Sequence, residues 1–306
     1  MIKAPKLIAM KPHLLILLFC FSSKLFGQSL PDSTPQSGFT IENIKFESAG
    51  VTLSGTVFKP KNIKSAVVIV HGSGQEKRMA NIASLLASNG IAVLTYDKRG
   101  VGESGGVYAG PEVGTNNIDS LNLNLLALDA SAALNTLAAN IPKHSGKLGL
   151  MGFSQAGWVI PIAAKINRHV KFMVIFSGPV VTTLEQLRFQ FYTQGNANFW
   201  ETHTEADARE HINNDIDRYK FTSTDPRTAL DKLSASGLWL FGGKDIQVPV
   251  NLSIERLNVL KAKSKPYDYK VFPDLGHNTA SSKLNESMNV AIQWIKGLSN
   301  QTRVKK

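Results

Sequence analysis

The sequence is nearly free of cysteine, with Cys20 as the single one among 306 residues. Cys20 lies in an amino-terminal segment that we expect to be removed, so the mature chain would carry no thiol. A chain without thiols cannot form a disulfide, use a cysteine nucleophile or bind a metal through thiolates. Catalysis by the mature protein would therefore depend on other side chains.

Long hydrophobic runs are also missing. The apolar run at 14–21 follows basic residues and precedes the small Gly27, and it is far shorter than the about 20 residues that span a bilayer. This pattern predicts a secretory signal peptide over 1–27 and export to the periplasm or beyond, with no membrane span after cleavage. A lipid anchor on Cys20 stays open as an alternative, although bulky Phe19 precedes it.

Positive charge is present but scattered. The chain has 34 Lys and Arg against 23 Asp and Glu, a net charge of +11, and four of the basic residues belong to the predicted signal peptide. A nucleic-acid-binding protein needs a clustered basic face or a reading motif, and the sequence has neither. We expect no nucleic-acid partner, and nothing in the sequence indicates an oligomeric state.

Short β-branched runs alternate with helical patterns after a polar linker at 28–39. Strands are predicted at 41–46, 51–58, 66–70, 91–96, 147–151, 171–176, 237–241 and 267–272, and helices at 79–88, 121–139, 155–166 and 285–298. This alternation predicts one α/β domain over 40–300, a mostly parallel sheet with helices on both faces and an antiparallel hairpin at one edge. A basic tail follows at 301–306.

One stretch, at about 180–234, interrupts this alternation. It contains three predicted helical segments, at 183–195, 204–219 and 226–233, and no strand. Open α/β sheets bind ligands at the carboxyl ends of their strands. We therefore expect the insertion to form a helical lid over that edge.

The segment Gly152-Phe153-Ser154-Gln155-Ala156 lies between a predicted strand and a predicted helix. A serine nucleophile of this type projects from a tight turn, which requires small residues around it. Gly152 and Ala156 meet that requirement, with Ala156 in place of the more usual glycine. The pattern predicts Ser154 as the nucleophile.

A serine needs a base, and the base needs an orienting acid. Asp245 and His277 each follow a predicted strand, so the chain order is Ser, Asp, His, and all three would meet at one edge of the sheet. Asp274, three residues before His277, is an alternative acid. We predict a catalytic triad of Ser154, His277 and Asp245.

Acyl transfer also needs hydrogen-bond donors for the oxyanion. The turn itself supplies the Gln155 backbone amide. The loop His71-Gly72-Ser73-Gly74 follows another predicted strand, and we predict the Ser73 amide as the second donor, with the Gly74 amide as an alternative. His71 is expected to pack within the loop.

Together these motifs resemble the α/β-hydrolase superfamily, and within it the serine aminopeptidase-like and acylaminoacyl-peptidase-like esterases. The segments that carry the resemblance are 51–55, 71–74, 96–104 and 152–155. It covers nearly all of 40–300 apart from the insertion, and it implies carboxylesterase or peptidase-like activity without metal or organic cofactor. In such relatives the loop after the fourth strand is structural, so we expect Asp97 and Arg99 to form a local ion pair.

Two further patterns suggest cofactor sites, and neither is supported by its context. The segment 100–105 matches a dinucleotide-binding pattern, but glycines and Pro111 follow where a helix would have to begin. His203, Asp207 and His211 would share one helix face, yet acidic residues around them favour a solvated surface. We expect no nicotinamide, flavin or metal.

The predicted function is cleavage of a small carboxylic ester through an acyl-enzyme. A peptidase acting on short peptides would use the same triad, and the acidic residues at 201–207 keep that alternative open. A hydrolase-like binding protein without turnover is the other alternative.

Overall fold

The computed structural model describes residues 38–143, 146–216, 220–281 and 285–301, with side chains described through Leu298 in the last range. The signal peptide at 1–27, most of the linker at 28–39 and nearly all of the basic tail lie outside the described residues. Those predictions therefore stay predictions. The described residues belong to one compact unit.

Eight strands form a single sheet. They are β1 (Phe39–Ser48), β2 (Val51–Pro60), β3 (Ser65–Val70), β4 (Ile91–Tyr96), β5 (Lys147–Phe153), β6 (Phe172–Phe176), β7 (Ser236–Gly242) and β8 (Tyr267–Phe272). Their order across the sheet is β1-β2-β4-β3-β5-β6-β7-β8. β2 is antiparallel to both β1 and β4, and all other neighbours are parallel. The predicted strands and the edge hairpin are confirmed.

The continuous apolar runs correspond to the central strands. Every residue of β3, β4 and β6 is buried, as expected where helices cover both faces of a parallel sheet. The six strands β3 to β8 all run in one direction, so their carboxyl ends meet at one edge of the sheet. The loops after β3, β5, β7 and β8 therefore lie along the same edge.

Ten α-helices are described. They are α1 (Ala80–Ser88), α2 (Thr115–Ile118), α3 (Ser120–Ala139), α4 (Ala156–Ile166), α5 (Thr183–Thr193), α6 (Phe199–Thr202), α7 (Glu205–Asn214), α8 (Arg227–Leu230), α9 (Val250–Ala262) and α10 (Glu286–Gln301). Apolar residues of α3, α4 and α9 form a core on one face of the sheet, and those of α1 and α10 form a second core on the other. The sheet thus has helices on both faces, as predicted.

Sequence patterns missed three of these helices. α2 and α6 are single turns, too short to show a period. α9 is longer, and its buried residues Val250, Ser253, Leu257 and Leu260 follow helical spacing. The polar Ser253 on the buried face and the exposed Val259 obscure this apolar stripe in the sequence.

The segment between β6 and β7 is helical, as predicted, and contains α5 to α8. It has its own small apolar cluster, which includes Phe189, Phe199 and Ile212 and reaches Leu252 of α9. Its role as a lid stays a prediction. Within the described ranges, no helix is both long enough and apolar enough to cross a bilayer.

Candidate active site

The predicted nucleophile lies in a strained turn between β5 and α4. Ser154 has a left-handed backbone with a φ of 50°, and its amide donates a 2.9 Å hydrogen bond to the Phe176 carbonyl at the end of β6. Residues other than glycine rarely adopt positive φ, and those that do cluster at functional sites. The turn is held by the neighbouring strand and leaves Ser154 partly exposed.

Small residues make this turn sterically feasible. A Cβ at Gly152 would lie 2.5 Å from the Ala156 Cβ and 2.7 Å from the Val70 carbonyl oxygen, which is closer than non-bonded atoms pack. Gly152 therefore has no room for a side chain. The methyl group of Ala156 is accommodated because Gly152 leaves that space empty.

His277 and Asp245 form a hydrogen bond, with 2.9 Å between His277 Nδ1 and Asp245 Oδ2. An ionised carboxylate only accepts, so Nδ1 carries the proton and Nε2 is left as an acceptor. Asp245 is buried, and its other oxygen accepts from the amides of Gln247 at 2.7 Å and Val248 at 3.0 Å. These two amides fix the carboxylate beneath the imidazole.

The alternative acid is not placed to do this. The side chain of Asp274 is 90% exposed and forms an ion pair with Lys244 at 3.2 Å. His277 therefore takes Asp245, and not Asp274, as its carboxylate partner.

Ser154 is not hydrogen-bonded to His277 in this structure. Among the described residues, the Ser154 hydroxyl has no hydrogen-bond partner. The two loops are linked indirectly, because Ser177, directly after β6, bonds the Thr279 hydroxyl at 2.9 Å. The Thr279 amide in turn donates to the His277 carbonyl at 2.9 Å. This chain of bonds ties the His277 loop to the strand next to Ser154.

The β3–α1 loop (residues 71–79) lies against the nucleophile. A Cβ at Gly72 would be 3.7 Å from the Ser154 Cβ. The Gly72 amide is occupied by Glu76 at 2.8 Å, whereas the amides of Ser73 and Gln155 have no acceptor within the described residues. The two amides predicted as oxyanion donors are thus available for a ligand.

Sequence reasoning missed the polar residues behind this loop. Lys98 is buried and donates to the Gly72 carbonyl at 2.7 Å and to Gln155 Oε1 at 3.1 Å. Burial lowers the pKa of Lys98 to about 8, with Glu76 and Glu112 acting against that shift. The available signal in the sequence was a lysine two residues after the end of a buried strand, β4.

The predicted ion pair between Asp97 and Arg99 is wrong. Asp97 pairs with Arg78 of the β3–α1 loop at 3.0 Å, while Arg99 Nε donates to Asp129 of α3 at 2.9 Å. The chain turns directly after Arg99, at Gly100 with a φ of 71°, and the two side chains reach different elements.

His71 packs inside the fold, as expected. It is buried and its Nε2 lies 2.6 Å from the Tyr96 carbonyl oxygen, so Nε2 carries the proton. Burial, followed by the charge of Lys98, lowers the pKa of His71 to about 3. The imidazole is therefore neutral at physiological pH.

The helical insertion contacts the loop that carries Asp245. The Thr193 hydroxyl donates to the Ile246 carbonyl at 2.7 Å, and the indole of Trp200 donates to the Asp245 carbonyl at 2.9 Å. Trp200 also stacks on Phe189, with ring centroids 6.0 Å apart. The insertion is thus anchored directly on the predicted catalytic acid.

The part of the chain that the structure describes contains no group of three or more His, Cys, Asp and Glu side chains arranged to hold a metal. His203 stacks on Phe199, with centroids 4.3 Å apart. Asp207 accepts from the amide and hydroxyl of Thr204 and so caps α7. These residues have structural partners.

A sequence profile of the hydrolase family described as serine aminopeptidase, S33, matches residues 61–236, more than half of the chain. The chain belongs to this family. The matched range contains Ser154 and ends before Asp245 and His277. Membership in the serine aminopeptidase family places the chain in a family of hydrolases.

Individual known proteins are also similar to this member of the serine aminopeptidase family. A polyketide transferase of Penicillium crustosum is 32% identical over 152 residues, 47% of this chain and 46% of that protein. The chain thus matches about half the length of this curated relative.

An esterase of Pyrococcus furiosus has a similar structure, with a TM-score of 0.64 at 19% identity, covering 90% of this chain and 97% of that one. An acylaminoacyl peptidase of Pyrococcus horikoshii has a TM-score of 0.59 at 16% identity, covering 86% and 41%. Both structures show the α/β-hydrolase fold.

Proposed function

We propose that this protein is an exported serine hydrolase that cleaves carboxylic esters, with Ser154 as nucleophile, His277 as base and Asp245 as the orienting acid. The observation that carries the proposal is the 2.9 Å hydrogen bond between His277 and a buried Asp245. A carboxylate that holds one imidazole nitrogen leaves the other free to take the serine proton.

In the first half-reaction, the Ser154 Oγ attacks the ester carbonyl carbon while His277 Nε2 takes the hydroxyl proton. Asp245 stabilises the imidazolium that forms. The carbonyl oxygen becomes an oxyanion, for which the amides of Ser73 and Gln155 are the donors. The tetrahedral intermediate collapses, the alkoxide leaves with the proton from His277, and the acyl group stays on Ser154.

In the second half-reaction, His277 removes a proton from water, and the resulting hydroxide attacks the acyl carbon. The bond from the acyl carbon to Ser154 Oγ breaks, and His277 returns the proton to that oxygen. The carboxylic acid is released and the site is restored. The hydrogen bond from Ser154 to His277 must form for the first step, and such bonds are often long in free enzymes and tighten with substrate.

Ester cleavage is favoured over aminopeptidase activity by the partners of two of the acidic residues at 201–207. An aminopeptidase must bind the free amino group of its substrate, and carboxylates are the usual partners. Asp207 caps α7, and Glu205 forms an ion pair with Arg209 at 3.0 Å. These carboxylates have partners within the insertion and are less available to a substrate amine.

Replacing Ser154 tests the proposal. Ser154→Ala should lower kcat on p-nitrophenyl acetate by about 10⁴-fold or more, because the nucleophile is lost while the binding groups remain. Ser88→Ala, an exposed serine at the end of α1, is the matched control and should keep full activity. Retention of most activity by Ser154→Ala would exclude this nucleophile.

Two further measurements separate the alternatives. A fluorophosphonate probe should label the wild type and not Ser154→Ala, whereas an unlabelled wild type indicates a binding protein without turnover. Faster turnover of aminoacyl arylamides than of acetyl and butyryl esters would favour the peptidase. Export is tested by expressing the full chain and determining the mature amino terminus, which we expect after residue 27.

A further inference from the structure

Lys98 lies at the centre of a hydrogen-bond network behind the β3–α1 loop. It is 3% exposed, and its Nζ lies 2.7 Å from the Gly72 carbonyl, 3.3 Å from the Gly74 carbonyl and 3.1 Å from Gln155 Oε1. An ammonium group has three N–H donors, and these three acceptors use all of them. Lys98 therefore has no donor left for a substrate and acts through the groups that it binds.

The bond to the Gly72 carbonyl determines the direction of the next amide. In a planar trans peptide, the C=O and the following N–H point to opposite sides. Because Lys98 holds the Gly72 carbonyl on its own side, the Ser73 N–H points away from Lys98. The Ser73 carbonyl is held by the Tyr108 hydroxyl at 2.7 Å and by Asn117 Nδ2 at 3.0 Å.

The same network includes the second predicted donor. The Gln155 side chain accepts from Lys98 and donates through Nε2 to the Asn117 carbonyl at 2.9 Å. Asn117 thus bonds both the Gln155 side chain and the Ser73 carbonyl. The network is closed, and it connects the two residues whose backbone amides are available.

We propose that Lys98 is a positioning residue that holds the Ser73 and Gln155 amides in the arrangement that an oxyanion requires. The inference rests on the proposed function, since it concerns the oxyanion of that reaction. Such donors stabilise the transition state more than the ground state, so their misplacement should lower kcat with little change in KM.

The titratable groups around Lys98 come from two loops. Glu76 and His71 belong to the β3–α1 loop, and Glu112 and Tyr108 to the loop after β4, with the Tyr108 ring centroid 5.4 Å from Nζ. His71 is neutral, and burial raises the pKa of Tyr108, so its phenol stays protonated. The charged neighbours of Lys98 are thus the two glutamates, which raise its pKa against the larger effect of burial.

Deprotonation of Lys98 has a definite structural consequence. A neutral amine keeps two N–H donors, so one of the Gly72, Gly74 and Gln155 acceptors loses its bond. Burial lowers the pKa of Lys98 to about 8, and kcat should therefore fall as the pH rises through that value. The fold should persist. Because the pKa of Lys98 is lower in the folded than in the unfolded chain, the contribution of Lys98 to the free energy of unfolding rises as the pH rises through this range.

The experiment measures kcat and KM for p-nitrophenyl acetate on the full mature chain between pH 6 and 9.5. The wild type should lose activity above about pH 8 without a fall in its thermal midpoint. Lys98→Met should have a kcat about 10- to 100-fold lower at pH 7, with no alkaline loss and with Ser154 still labelled by a fluorophosphonate. Lys77→Met, an exposed lysine of the same loop, should behave as the wild type.

A second variant serves if Lys98→Met does not fold. Glu76→Gln keeps a carbonyl oxygen for the Gly72 amide but removes a charge that raises the pKa of Lys98, so the alkaline loss should move down by about half a pH unit or more. Suppose that the wild type is active. This inference alone is then overturned if Lys98→Met keeps the wild-type kcat and pH profile, or if Glu76→Gln loses activity at the same pH as the wild type. A wild type that neither turns over nor labels overturns the proposed function and this inference with it.

Discussion

The loops on the two sides of Ser154 are held in different ways. On the β3 side, which is the loop at 71–79 and the buried residues behind it, ionisable side chains fix the chain. Lys98 donates to the Gly72 carbonyl, and neutral His71 donates to the Tyr96 carbonyl. On the β7 side, Asp245 is fixed by two backbone amides, and the His277 loop is tied to β6 through hydroxyl groups. The loop on the β3 side is thus held by buried ionisable side chains, and the loops on the β7 side are held by backbone amides and hydroxyl groups.

This difference predicts different kinds of failure. A change of pH should loosen the loop on the β3 side, because a proton gained or lost there leaves a buried group without a hydrogen-bond partner. A substitution on the β7 side should act on the chemistry itself, because the groups there move the proton.

The largest effect is expected on the β7 side. Asp245→Asn should lower kcat on p-nitrophenyl acetate by about 10³- to 10⁴-fold, because the amide no longer stabilises the imidazolium and favours the wrong tautomer of His277. The oxygen of the introduced side-chain amide can still accept from the backbone amides of Gln247 and Val248, so the fold should be kept. Steady-state kinetics and thermal unfolding of the same sample check both statements.

Asp274→Asn is the matched control for that variant. Its carboxylate is exposed and pairs with Lys244, so its loss should change kcat less than about twofold. Equal losses in Asp245→Asn and Asp274→Asn would break the assignment of the acid.

A smaller effect, on stability, is expected on the β3 side. Burial lowers the pKa of His71 to about 3, so the unfolded chain binds a proton below pH 6.5 and the folded chain does not. The free energy of unfolding should therefore fall by about 1.4 kcal/mol per pH unit between pH 6.5 and 3 from this residue alone. Urea unfolding at several pH values measures the slope.

His71→Asn removes the titrating group and should flatten that slope, whereas His169→Asn, an exposed histidine, should leave it unchanged. If His71→Asn unfolds with the wild-type dependence on pH, the acid sensitivity arises elsewhere. In that case, protonation of His71 on the β3 side would not be what destabilises the fold at acid pH.

The smallest effect is expected where the insertion meets the β7 side. Trp200→Phe keeps an aromatic ring but removes the donor to the Asp245 carbonyl, a bond of about 1 kcal/mol. We expect kcat to fall about three- to tenfold through a less firmly held Asp245, with KM little changed. Trp294→Phe, on α10 against Phe172, is the control and should leave kcat unaltered.

The strands, the edge hairpin and most of the longer helices could be predicted from the sequence because each is encoded locally. The short apolar runs at 66–70 and 91–96 indicate buried strands because of their length and their β-branched residues. α9 was missed because polar Ser253 on its buried face and exposed Val259 obscure the apolar pattern. The ion pair assigned to Asp97 and Arg99 failed for a different reason, because each side chain has its partner on a distant element.

By itself, the sequence determined the order of strands and helices, the strand–turn–helix around Ser154, and the identity of the few residues with acid–base chemistry after strand ends. Tertiary structure alone decided the partner of each polar group: Asp245 rather than Asp274 for His277, Arg78 for Asp97, and three acceptors for Lys98. The physical reason is the separation along the chain of the residues that interact. A strand or a turn depends on neighbouring residues, whereas a buried charge is stable only where distant segments supply its hydrogen bonds.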